Sequence, residues 1–190
     1  MVKTKTIDFI ERRGPWGVIE RRKAYQNKFG LAVLEDKVLR PDGKEGIYGW
    51  VKIGDGVNIL PMDDENNVYL AKGFMYPINK ESIEVSSGGI DEGETPLKAA
   101  ERELKEELGI KYKTLIDAGM LRPITGKIYT NQYLYIVRGL EFGEKTDYFE
   151  DLKLTKMPLT DAVNKVMSGE IDDWTTVVLI LKANELLRRS

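Results

Sequence analysis

Between positions 94 and 107 the chain places five glutamates: Glu94, Glu101, Glu103, Glu106 and Glu107. Carboxylates at this density either form a solvated helix face or gather a hard, oxygen-loving cation. The rest of the composition narrows the chemistry. The 190 residues include no histidine and no cysteine. That removes imidazole bases, Ser-His-Asp triads, thiolate nucleophiles, disulfides and zinc sites built on sulfur or imidazole. Hydrolytic chemistry here must run on carboxylates, lysine, tyrosine and backbone groups. Lysine and arginine number 29 against 31 acids, a net charge of −2, too even for nucleic-acid binding through bulk attraction. The acidity that matters is local.

The element carrying these acids has clear ends. Thr95 suits an N-cap, Pro96 the first helical position and Gly109 the position just past the end, which predicts a helix from Pro96 to Leu108. At 100° per residue Leu97, Ala100, Leu104 and Leu108 form one apolar stripe. Glu103 and Glu107 lie beside it, Glu106 adjoins them, and Arg102 can pair with Glu106 one turn on. On an exposed helix a like-charge pair at this spacing costs only about 0.2–0.5 kcal/mol. At the border of a core, two carboxylates about 5 Å apart repel by roughly 3 kcal/mol at an effective dielectric near 20. A divalent cation converts that repulsion into attraction. Helix pattern alone leaves both readings open. Gly88, Gly89 and Gly93 predict a glycine-rich loop before the helix that bends closely around a site and turns N–H groups toward an anion.

The surrounding chain supplies a sheet. GVIERRKAYQN, GLAVLEDKVL and GIYGWVKI, the last two separated by the turn Pro41-Asp42-Gly43, predict an N-terminal β-meander over residues 17–53. VNILPM and VYLAKGFM read as further strands, IEVSS leads into the glycine-rich loop, and TLIDAGML and QYLYIVRGL read as strands followed by KLTKMPL. TDAVNKVMS and DDWTTVVLILKANELLRR carry apolar residues at helical spacing. The expected architecture is α/β (α+β): a mixed β-sheet flanked by helices, with a small antiparallel extension ahead of it. The expected division is residues 1–53 as the β-extension and 54–190 as the main domain. A composition of 42% hydrophobic and 32% charged residues is that of a soluble globular protein. The first residues lack the apolar core of a signal peptide and no run approaches 18 apolar residues, so a cytoplasmic location is expected.

Residues 88 to 110 match, position by position, the Nudix box: Gly88, Glu94, Arg102, Glu103, Leu104, Glu106, Glu107, Gly109 and Ile110. The chain thus resembles the Nudix hydrolases. That resemblance implies Mg²⁺- or Mn²⁺-dependent hydrolysis of a nucleoside diphosphate linked to another moiety. Glu103 and Glu107 are then the principal metal ligands, with Glu106 and the backbone carbonyl of Ser87. Gly88, Glu94, Arg102 and Gly109 shape and brace the loop–helix–loop. The cation neutralises and orients the diphosphate and acidifies an attacking water. The products are a nucleoside monophosphate and the phosphorylated second moiety.

The meander, the PDGKEGIYG turn and the ending SGEIDDWTT resemble the ADP-ribose pyrophosphatase branch more loosely, which makes ADP-ribose or another nucleotide sugar the expected substrate and a homodimer the expected assembly. In that branch an aromatic residue of the meander stacks on the nucleobase; Phe29 fits that place best, ahead of Trp16 and Tyr25. Two departures stand out. Where the branch carries Arg-Gln-x-Arg, VYLAKGFMYP puts Lys72, Gly73 and Met75, leaving Lys72 as the one charge for the substrate phosphates. Where it carries an acidic loop with the general base, this chain has Asp147-Tyr148-Phe149-Glu150-Asp151. Glu150 is the first candidate for the base and Asp147 the second. Glu84 matches an acid common before the box. Lys127, with Tyr129 and Asn131, occupies the place of a substrate-side loop. The alternatives are a dinucleotide or nucleotide cofactor as substrate, or a nucleotide-sensing module that binds without cleaving.

Overall fold

A computed structural model of the chain describes residues 8–144 and 152–189. In chain order the elements are strands β1 (Glu11–Arg13), β2 (Trp16–Gln26), β3 (Ala32–Leu39), β4 (Glu45–Lys52), β5 (Gly56–Pro61), β6 (Asn67–Met75), β7 (Lys80–Glu84) and β8 (Ser86–Gly89). Helix α1 (Pro96–Leu108) follows, then β9 (Ile110–Lys111), β10 (Thr114–Leu121), β11 (Ile128–Tyr129), β12 (Gln132–Arg138), β13 (Glu141–Phe142), β14 (Lys153–Pro158), α2 (Leu159–Ser168) and α3 (Trp174–Arg189). Among the described residues no helix is long and apolar enough to cross a membrane. The chain divides into two compact units: residues up to Gly54 with Arg122–Thr130, and Asp55–Leu121 with the residues from Asn131 onward.

The first unit is one five-stranded sheet in the order β1-β2-β3-β4-β11. Its meander is antiparallel, and β11 adds a short parallel pairing, Ile128 opposite Val51. Alternation along β3 buries Ala32, Leu34, Asp36 and Val38 on one face. Asp36 is a buried charge, and it is fully engaged. Arg21 meets both its oxygens at 2.8 and 2.9 Å, and the Trp50 indole N–H donates at 3.2 Å. The β2–β3 turn is closed by Asn27, whose Oδ1 accepts from the backbone N–H of Phe29 and Leu31.

The second unit holds the mixed sheet β10-β12-β5-β8, in which β12 runs parallel to β5, and a separate antiparallel sheet β14-β6-β7. Period two decides which helix each residue meets. Val57, Ile59, Tyr135 and Val137 pack in one cluster with Ala99, Ala100, Leu104 and Leu108 of α1. Their neighbours Leu60, Leu134 and Ile136 pack in the other, with Leu159 and Ala162 of α2 and Leu179, Ile180 and Ala183 of α3. The mixed sheet flanked by helices is therefore present as expected. IEVSS, the lead into the glycine-rich stretch, is divided between two strands. It leaves the β6 ladder after Glu84 and joins β5 from Ser86. Between the ladders the Val85 N–H is taken by the Thr176 hydroxyl of α3 at 3.0 Å, so the switch leaves no buried donor unpaired.

Asp63 anchors the β5–β6 turn. Its carboxylate accepts from the backbone N–H of Glu65 and Asn67, the Asn67 amide, the Tyr69 hydroxyl and Lys156. Burial pushes its pKa up, but the Asn67, Lys156 and Tyr69 hydrogen bonds outweigh it and hold the group well below its ordinary 3.8. A depressed folded pKa gives stability that is present above the unfolded value and lost as pH falls through the folded one. Asp63→Ala is expected to cost about 2 kcal/mol near neutral pH. Thermal melts of the two proteins should converge as pH drops below 3.8; a gap that persists unchanged there contradicts the assignment.

Candidate active site

Helix α1 begins and ends where its sequence dictates. The Thr95 hydroxyl accepts from Lys98 N–H at 3.4 Å, Pro96 opens the first turn, and Gly109 closes the helix with φ of 65°. The expected stripe needs one correction. Leu97 is half exposed, and burial begins with Ala99 and Ala100. Leu97 lies in the first turn, ahead of the buried positions of the helix. The glycine-rich stretch is also shorter as a loop than expected. Gly88 and Gly89 finish strand β8, paired with Val57 and Gly56, and only Gly93, with φ of 80°, takes a left-handed turn.

Arg102 organises the acids around it. Its Nε and Nη2 bind both oxygens of Glu94 at 3.1 and 2.9 Å, and Nη2 also donates to the Gly89 carbonyl at 2.8 Å. Nη1 reaches Glu103 Oε1 at 2.6 Å and Glu106 Oε2 at 3.3 Å. Glu94 in turn accepts from the Asp91 N–H at 3.2 Å. One guanidinium thus joins the end of β8, the loop and the helix. Its shared fork holds Glu94 below the usual carboxylate range, chiefly through the Arg102 hydrogen bonds.

Glu103 stays on the other side of that balance. Its side chain is only 14% exposed, and its carboxyl group lies over the Cα of Gly88. A methyl group there would fall 1.9 Å from the carboxyl carbon. Burial raises its pKa, the nearby Glu106 and Glu94 charges add to the rise, and Arg102 opposes without cancelling it. Glu107 is held differently. Its Oε2 accepts from the Ser86 hydroxyl at 2.6 Å and from the Ser87 N–H at 3.1 Å. Among the described residues no group of three or more acids converges on one point as it stands. Arg102 draws Glu103 and Glu106 to itself, while β8 draws Glu107.

These donors fit a hard cation. They are all oxygen, and one of them, Glu103, is a desolvated carboxylate seated where only a glycine leaves room. Its charge shares a single guanidinium with two other acids. Mg²⁺ or Mn²⁺ is the chemically matched counter-charge.

Arg102→Ala is expected to lower stability by about 2 kcal/mol, leaving Glu94, Glu103 and Glu106 without their common cation. Arg102→Lys should recover only part, because an ammonium lacks the fork. Urea denaturation of the three proteins measures it, and equal midpoints would remove Arg102 from this role.

The other sequence-derived residues lie on separate elements and turns. Lys72 lies on β6 and pairs with Glu81 at 2.9 Å. Glu84 ends β7 and Met75 ends β6. Asn131 is tied through its backbone and side-chain nitrogens to Asp55. Glu150 and Asp147 lie outside the described residues. In the first unit, Phe29 stands at the β2–β3 turn, 79% exposed. Trp16, one of the two weaker sequence candidates, meets Tyr48 edge-on at 5.6 Å and lines a cavity of about 260 Å³. Trp50, Tyr129, Arg13 and Lys127 line the same cavity. Sequence reasoning did not single out Trp50 or Ser86. Trp50 stands two residues from Tyr48 on the same face of β4 and carried only that strand signal, and Ser86 carried only its place before the box.

Comparison with known proteins identifies the class. The NUDIX domain model matches residues 52–183, and the chain belongs to that family and is a Nudix hydrolase. It is 28% identical over 167 residues to the ADP-ribose pyrophosphatase of Bacillus subtilis (strain 168), a match covering 85% of this chain and 89% of that protein. It is 40% identical over 135 residues to the RNA pyrophosphohydrolase of Bartonella henselae, covering 65% of this chain and 75% of that one. The solved structure described as an ADP compounds hydrolase superposes with a TM-score of 0.80 at 16% identity, over 94% of this chain and 97% of that one. That likeness speaks to the fold.

Proposed function

We propose that the protein hydrolyses the diphosphate of a nucleoside diphosphate linked to a second moiety, with ADP-ribose as the first candidate, in a reaction dependent on Mg²⁺ or Mn²⁺. The observation that carries this reading is the arrangement of Glu103, Glu106 and Glu107 around Arg102, Gly88 and β8. Glu103, Glu106 and Glu107 would hold the ion, together with the Ser87 carbonyl. When bound, such an ion supplies charge neutralisation for the diphosphate and acidifies water.

The chain's own groups do the rest. Arg102, held by Glu94 and the Gly89 carbonyl, keeps Glu103 and Glu106 from swinging out. Ser86 and Ser87 orient Glu107. Glu150, or Asp147, is proposed to take a proton from the attacking water. The water oxygen ends on one phosphorus and the bridging oxygen leaves with the other, giving two monophosphates. Lys72, Lys127 and Phe29 remain proposed substrate contacts. We also propose a homodimer, which light scattering tests by mass.

ADP-ribose is placed first because the relative with that activity matches over the greater share of both chains. The higher identity to an RNA pyrophosphohydrolase over a shorter stretch supports a second reading, in which another diphosphate-bearing nucleotide is the substrate. Assaying the protein against ADP-ribose, other nucleotide sugars, dinucleotides and 5′-triphosphorylated oligonucleotides separates the two. A distinct preference for the oligonucleotide reverses the order.

A further inference from the structure

Ser86 is fully buried, yet it is polar and sits at the first position of a strand whose other side chains are one serine and two glycines. An isolated buried hydroxyl is costly unless it is hydrogen-bonded. This one has a partner of unusual consequence: its Oγ donates to Glu107 Oε2 at 2.6 Å, a short charge-assisted bond. The neighbouring Ser87 N–H donates to the same oxygen at 3.1 Å. Two donors from consecutive residues, one side chain and one backbone, fix where Oε2 lies and hence the plane of the carboxylate. The strand supporting them is itself fixed, with Ser86 opposite Ile59 and Ser87 opposite Asn58 in the β5 ladder.

We infer that Ser86 is a positioning residue for cation binding. It pre-orients the Glu107 carboxylate, so that the entropy of immobilising that side chain is already lost before an ion arrives. This rests on the proposed role of Glu107 as a ligand. Carboxylate ligands held by outer hydrogen bonds lose roughly 10–100-fold in metal affinity when those bonds are removed. The Ser87 N–H survives any side-chain change at 86, so the lower end of that range applies. The same logic distinguishes Ser86 from Arg102. Arg102 serves Glu94, Glu103 and Glu106, whereas Ser86 bonds Glu107 alone among the acids of the site. Its removal should therefore weaken the cation without loosening the loop.

The test is Mn²⁺ binding to the purified protein by calorimetry, with no substrate present, for the parent, Ser86→Ala, Ser86→Thr and Glu107→Gln. Melting curves establish folding. Ser86→Ala should weaken Mn²⁺ about tenfold. In assays with Mg²⁺ it should raise the Mg²⁺ concentration needed for half-maximal rate by a similar factor, with the nucleotide KM unchanged at saturating Mg²⁺. Ser86→Thr, which keeps the hydroxyl, should return most of the affinity. If the extra methyl unfolds that variant, Ser86→Cys, a weaker donor of similar size, should fall between alanine and the parent.

A folded Ser86→Ala with parental Mn²⁺ affinity overturns the inference, as does an alanine defect that neither donor variant relieves. Glu107→Gln separates this failure from that of the underlying reading. If it loses Mn²⁺ while Ser86→Ala does not, only the Ser86 role is wrong; if it binds Mn²⁺ as the parent does, the ligand assignment itself is wrong.

Discussion

Glu107→Gln is expected to lower turnover on the order of 10²–10³-fold and to leave the melting temperature within a few degrees of the parent. The reasoning separates shape from charge. Glutamine fills the same volume and keeps one oxygen that can accept from the Ser86 hydroxyl and the Ser87 N–H. What it removes is a unit of negative charge from the proposed cation site. A bound metal contributes several kcal/mol of charge stabilisation to the transition state, and every ~1.4 kcal/mol is tenfold in rate. Steady-state kinetics at saturating Mg²⁺, beside a thermal melt, measure both halves. Parental activity in the folded variant would show that Glu107 takes no part in catalysis.

Gly88→Ala should give the second large effect, by another route. The added methyl would sit 1.9 Å from the Glu103 carboxyl carbon and 2.0 Å from its Oε1. What must yield is the far end of a flexible side chain, not backbone, so the fold should survive at about 1–2 kcal/mol. Glu103, however, must leave its seat and its 2.6 Å contact with Arg102. Turnover should fall on the order of 10–100-fold, since a displacement of about 1 Å suffices for the upper figure. Gly89→Ala is the internal control, because its added methyl meets nothing within 4 Å. Equal activity of the two alanine variants would mean that the Glu103 seat on Gly88 is irrelevant to the reaction.

Much of this site was legible because its signals are local. Thr95, Pro96 and Gly109 each act through the backbone of their own turn, and the helix bounds coincide with those residues. Period two in β5 and β12 likewise distributes their side chains between two clusters without reference to anything distant. Long-range pairings carry no comparable signal. The two residues of β11 reach β4 across more than seventy positions of chain, and nothing in IEVSS announces that its halves belong to different sheets.

The carboxylates illustrate the same limit. Spacing placed Glu103, Glu106 and Glu107 beside the apolar stripe. It gave the Arg102–Glu106 pair one turn apart, but not that Arg102 would also take Glu103 or that Ser86 would take Glu107, because that last partner is chosen by where β8 packs against α1. The nucleobase candidate shows it again. Phe29, the first choice from the meander, stands exposed at a turn, and one cavity of that unit is lined by Trp16, Tyr48, Trp50 and Tyr129. Which side chains enclose a cavity follows from sheet register, and register is not written in any one strand.

Product analysis of diphosphate cleavage with and without a metal tests the proposed reaction most directly. The purified protein is incubated with ADP-ribose and a panel of other nucleoside diphosphate derivatives, in Mg²⁺ or in excess chelator, and the products are separated by chromatography. The predicted result is equimolar nucleoside monophosphate and phosphorylated second moiety from at least one compound in Mg²⁺, and none in chelator. Cleavage that proceeds equally well in chelator, or release of inorganic phosphate in place of the two monophosphates, would contradict it.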